Sequence, residues 1–191
     1  FLPLLTLWIV AGGAARLPES SWRPAIILST IVPVILGTLQ SAGLDPTGWQ
    51  AVVRESFHGR VCSTLGNPNF YSAFLAGTLP FILWASLAAS GTAARMGGSI
   101  LASLGLFSLI HAGSKGGILG AAAAGTALGL AAWRTGLLAS IPRRRLALFA
   151  GTGLAVAIIG LATASPVIRE RLLFNTAGPD TPCASAAGPA V

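Results

Sequence analysis

The chain has 191 residues, of which 53% are hydrophobic and 9% charged, with a net charge of +7, a pI near 11.4 and a mean hydropathy of +0.76. A soluble domain carries about 25% charged residues, so a water-borne globular protein is excluded and an all-α, polytopic integral membrane helical bundle is expected. The basic excess does not point to nucleic acid, because the Lys and Arg residues are spread thinly between apolar runs and act as topology signals.

About 20 apolar residues cross a bilayer. Stretches near 1–15, 24–40, 70–90, 97–112, 116–133 and 146–164 meet or approach that length, which predicts five to six spans. The first, "FLPLLTLWIVAGGA", has no basic region before it, so it reads as a partly present span rather than a signal peptide. Pro33 and Pro80 fall inside spans, which membrane helices tolerate. One connection is long, "SAGLDPTGWQAVVRESFHGRVCSTLGN" at 41–67, and long loops are natural places for function. Asp45-Pro46 resembles a helix start, and Trp49, Val52 and Val53 recur at helical spacing. A short amphipathic helix on the membrane surface is therefore expected there.

The third span opens on "GNPNFYSAFLAG", 66–77. Asn67 suits an N-cap, and Pro68 suits the first helical position, where a missing N–H costs nothing. The fourth and fifth spans separate at "HAGSKGG", 111–117, since a lysine amid glycines makes a poor helix centre and a good turn. In the fifth span Gly117, Ala121, Gly125 and Gly129 form a small-residue ridge suited to helix packing. After "ASPVIRERLLFN" the chain becomes Pro/Ala/Gly-rich. The organisation expected is a helical region over 1–174 and a disordered or truncated tail over 175–191. Cys62 and Cys183 set no disulfide framework, and no cluster has metal-ligand spacing. Neither metal nor cofactor is expected.

Basic residues near span ends set the orientation. Arg16, Arg23, Arg95, Arg134 and Arg143 to Arg145 gather on one side, and Arg54, Arg60, Lys115, Arg169 and Arg171 on the other. The concentration in "RTGLLASIPRRR" places that loop in the cytoplasm, so loop 41–67 and turn 111–117 face outward. Snorkelling at the interface accounts equally for Arg54, Arg169 and Arg171.

Under this topology the third and fifth spans both begin on the outer face. Helix N-termini favour anions. Asn67 and Asn69 at one start, Ser114 and Lys115 at the other, and Arg60 in the approach would form a cationic pocket suited to a pyrophosphate. His58 and His111 lie near the same level and can titrate there. The plain alternative is that Asn67 and Ser114 only cap their helices.

Together, "GRVCSTLGNPNFYSAFLAGTLPFIL" and "HAGSKGGILGAAAAG" resemble the O-antigen ligase and polymerase superfamily. Arg60, Gly66, Asn67, Pro68 and Asn69 match its arginine and Asn-Pro-Asn motif. Ser114, Lys115 and Gly116 match its second motif, with lysine where arginine is usual. The resemblance implies a GT-C-like membrane glycosyltransferase of the bacterial inner membrane. Such an enzyme moves a glycan from undecaprenyl-pyrophosphate to a hydroxyl of an acceptor glycolipid, glycan or protein, with no cofactor. Arg60, Asn67, Asn69, Ser114 and Lys115 would then meet the pyrophosphate, with His58 and Arg169 as secondary candidates. The family's acceptor-activating residue has no match, because Arg169 and Arg171 look like the entrance to an outer loop that does not follow. The chain therefore reads as a fragment of a longer protein, and activity is expected of the full-length protein. A multispan transporter or flippase, and a non-catalytic membrane scaffold, are the competing functions.

Overall fold

The computed structural model describes residues 19–48, 60–134 and 136–174; the expected first span, the segment from Trp49 through His58, and the tail from 175 lie outside them. Among the described residues there are six α-helices and no strand. These are α1 (Glu19–Ser41), α2 (Pro68–Ala88), α3 (Thr92–His111), α4 (Lys115–Arg134), α5 (Arg143–Thr163) and α6 (Pro166–Phe174). The first five are long and apolar enough to cross a membrane, so the chain reads as a multi-pass membrane protein. Helix is what such a sequence must form, because lipid offers no partner for backbone N–H and C=O groups. Hydroxyls inside the spans follow the same rule. Thr38, Ser72, Ser86 and Thr126 each donate to the carbonyl four residues earlier, at 2.7–2.8 Å.

Three features depart from the sequence expectation. Helix α3 begins at Thr92 rather than near 97, since Arg95 reaches back from the first turn to the Gly91 carbonyl (3.4 Å) and Thr92 Oγ1 (3.1 Å). Helix α6 occupies the stretch read as a loop entrance, with Pro166 at its start and Ser165 Oγ accepting from the Ile168 N–H. Asp45 and Pro46 lie in a turn, not at a helix start. Asp45 Oδ1 accepts from the Thr47 N–H at 3.2 Å and from Thr47 Oγ1 at 2.5 Å, folding the chain back on itself.

Helix α3 is the hub. It runs antiparallel to α2, with Gly98 against Ser86 and Gly105 against Leu79. It runs parallel to α1, where Thr38 and Ser108 share a hydrogen bond of 3.2 Å, and parallel to α5, where Gly160 meets Ile110. Val34, Leu75, Leu79, Ile82, Leu101 and Leu109 form the core between these helices. Helix α4 packs on α2 in the same direction, Gly117 against Ser72 and Gly120 against Ala76. These directions put residues 42–48 and 60–67, turn 112–114 and α6 at one end of the bundle. The short connections 89–91 and 135–142 lie at the other.

The small-residue ridge of α4 packs only in part. A Cβ on Gly117 would collide with Ser72, and one on Gly120 would lie 3.4 Å from Ala76 Cβ, but Gly125 and Gly129 meet nothing within 4 Å. Residues four apart drift by about 40° per step around a helix of 3.6 residues per turn, so Gly125 and Gly129 turn off the face that meets α2.

Candidate functional site

The segment entering α2 is irregular yet deeply buried: Arg60, Val61, Cys62 and Ser63 are all inaccessible, with Cys62 and Ser63 at 0% exposure. It has little backbone pairing of its own. The Val61 N–H donates to the His111 carbonyl at 3.3 Å, and a turn of 3-10 helix (Ser63–Leu65) ends at Gly66, whose φ of 67° suits glycine. Asn67 then caps α2 as expected, its Oδ1 accepting the Asn69 N–H at 2.8 Å, with Pro68 in the first helical position. At the second start, Gly113 takes a φ of 60° to end the turn after α3, and Ser114 Oγ accepts the Gly117 N–H at 3.3 Å.

Arg60 joins the two starts. Its Nε donates to the Ala112 carbonyl at 2.7 Å, and its Nη2 donates to Asn69 Oδ1 at 2.8 Å. Two of its donors are thus committed to protein acceptors, one on each motif. Ile168 of α6 closes over the same place: a Cβ on Gly113 would lie 3.4 Å from Arg60 Nε and 3.5 Å from Ile168. Asn69 is exposed, Asn67, Ser114 and Lys115 are half-buried, and Arg169 is exposed one position past Ile168. Two parallel helix N-termini, Arg60 and Lys115 therefore share one end of the bundle, and neither helix carries an acidic residue in its first turn. Such an arrangement attracts an anion.

His111 is 5% exposed and faces inward. Its Nδ1 lies 3.0 Å from the Phe107 carbonyl, and its Nε2 lies 3.4 Å from Thr163 Oγ1. These contacts tie α3 to α5 and turn the ring away from the anion-attracting rim.

Residues that sequence reasoning passed over hold the arm in place. Ser63 Oγ and Tyr71 Oη both donate to the Pro33 carbonyl of α1, at 2.6 and 3.1 Å, and Gly37 leaves room for the tyrosine ring. Gln40 Oε1 accepts the Ser63 N–H at 2.8 Å. Burial, reinforced by the nearby Asp45 carboxylate, pushes the Cys62 thiol above its ordinary pKa.

Below the anion-attracting rim lies an apolar cavity of about 970 Å³. It runs from Lys115 and Leu173 at this end to Leu83 and Ser99 toward the other, with α4 and α5 as walls and α3 as floor. Among the described residues, Lys115 is the one charged residue in its lining.

Comparison with family profiles, with curated proteins and with solved structures finds no match to this chain.

Proposed function

We propose that this chain belongs to a membrane glycosyltransferase of the O-antigen ligase or polymerase type, with a GT-C-like fold, working in the bacterial inner membrane. Loop 41–67 and turn 111–117 face outward, opposite the arginine-rich loop at 143–145. The enzyme passes a glycan from undecaprenyl-pyrophosphate to a hydroxyl on an acceptor glycolipid, glycan or protein. The observation that carries this reading is the Arg60 side chain, which links Asn69 to Ala112 and so unites the two motifs at the mouth of an apolar cavity. A polyprenyl chain suits the cavity, and its pyrophosphate suits the cationic rim.

In the reaction the acceptor oxygen bonds to the anomeric carbon as the bond from that carbon to the pyrophosphate oxygen breaks. Negative charge gathers on the departing lipid pyrophosphate. Fixed positive charge there stabilises the transition state more than the ground state. Lys115 acts as a point charge beside the helix starts, and Arg60 holds the starts together while adding its own charge. The acceptor's proton goes to a base outside the residues named here.

The test is glycan transfer by the full-length protein in membranes. Lys115→Ala and Arg60→Ala should each abolish transfer while insertion into the membrane persists. Normal transfer by both variants overturns the proposal.

A further inference from the structure

A non-glycine residue at positive φ marks a place that its surroundings over-determine. Ser63 has a φ of 52°, a conformation that is unfavourable for a residue with a Cβ unless its surroundings compensate. Two contacts compensate: Ser63 Oγ donates to the Pro33 carbonyl, and an amide side chain takes the Ser63 N–H. Gln40, 3% exposed near the end of α1, receives the Ser63 N–H on Oε1 at 2.8 Å and donates from Nε2 to Asp45 Oδ1 at 3.3 Å. The orientation of this amide follows from its partners, because a backbone N–H only donates and a carboxylate only accepts. Asp45 is in turn held by Thr47. Asp45 and Gln40, five positions apart, and Ser63, 23 positions beyond Gln40, thus form a chain from the root of loop 41–67 to the arm that carries Arg60.

We infer that Gln40 is a positioning residue. Its amide bridges Asp45 to Ser63 and thereby sets the pose of Arg60, so the root of the loop and the anion-attracting rim move as one unit. The inference rests on the reading of that rim as a pyrophosphate site, and it makes a chemical demand that packing alone would not. A donor must face residue 45 and an acceptor must face Ser63. Gln40→Glu sets two carboxylates against each other. Asp45→Asn leaves an acceptor for the Gln40 amide. The pair Gln40→Glu with Asp45→Asn relieves that repulsion and lets an amide N–H at position 45 donate to position 40, while the bond that Oδ1 accepts from the Thr47 N–H is given up.

Cys62, fully buried beside Ser63, reports the arm. The experiment uses the full-length protein in membranes at pH 8, carrying Cys183→Ala, and follows alkylation of Cys62 by N-ethylmaleimide with and without inorganic pyrophosphate. Gln40→Glu should speed alkylation and raise the half-protecting pyrophosphate concentration by about tenfold, the equivalent of one hydrogen bond. Asp45→Asn should keep Cys62 protected, and the double variant should return both readouts toward wild type. If Gln40→Glu does not accumulate, Gln40→Met should show the same exposure without adding charge. Protection of Cys62 in both single Gln40 variants, an unchanged half-protecting concentration, or a double variant as exposed as Gln40→Glu overturns the inference. Pyrophosphate without effect on any form, alongside the exposure and rescue pattern, overturns the pyrophosphate reading and leaves the Asp45–Gln40–Ser63 coupling standing.

Discussion

Arg60 Nε meets the Ala112 carbonyl at 2.7 Å across 52 positions of sequence, and the same guanidinium reaches Asn69. One buried side chain therefore serves as the clamp between two helix starts, in addition to any part it plays with an anion.

That double use predicts a graded response at position 60. Arg60→Ala leaves the buried Ala112 carbonyl without this donor, at a cost of about 1–3 kcal/mol, whereas the exposed Asn69 amide can turn to water. Arg60→Lys keeps charge but loses the planar fork. The melting temperature in detergent should fall in the order wild type, Lys, Ala. Equal melting of all three forms would show that the clamp contributes no stability.

Position 117 should tolerate no side chain larger than hydrogen, whereas position 125 should. Gly117→Val drives a Cβ into Ser72 and forces the starts of α2 and α4 apart. Gly125→Ala meets open space and gains about 1 kcal/mol of helix propensity. Size-exclusion chromatography of fluorescently tagged protein should show loss of the monodisperse peak for the first and none for the second.

The cap at Asn67 separates folding from function. Asn67→Ala should cost about 1 kcal/mol, and Asn67→Ser or Asn67→Asp should recover most of it. Thermal unfolding of the purified protein reads this directly. A loss of transfer that Asn67→Ser fails to recover while stability returns would assign Asn67 a contact with substrate.

Cys62 predicts a pH dependence. Its folded-state pKa is raised, so the folded protein favours the neutral thiol. The stabilising contribution is present below the unfolded thiol's ordinary value, 9.0, and is lost as pH rises above it. The difference in melting temperature between wild type and Cys62→Ala should shrink from pH 8 to pH 10. A constant difference would mean that the thiol does not ionise in either state over that range.

The spans were legible because the bilayer imposes a length and an apolarity that any sequence must meet. The caps at Asn67 and Ser114 were legible because capping is local, with donor and acceptor two or three residues apart. Helix α6 was missed although Ser165-Pro166 carries the same kind of signal. The turn at Asp45 was misread as a helix start because Asp-Pro serves both purposes.

Gln40, Ser63, Tyr71 and the acceptor role of the Pro33 carbonyl escaped sequence reading for another reason. Their bonds join residues 23 to 38 positions apart, and a glutamine at a span end has no periodicity to betray its partner. The ridge on α4 shows the same limit: four-residue spacing states which residues follow one ridge, but the position of α2 decides how much of that ridge is covered. By itself, then, the sequence determined a multi-pass helical bundle and two capped helix starts, since these depend on local chemistry and a uniform apolar solvent. Only the tertiary structure decided that Arg60 clamps those starts, that α1 holds the arm, and that an apolar cavity opens beside Lys115. Those features arise where helices distant in sequence approach or separate, and that distance is set by the packing of whole surfaces.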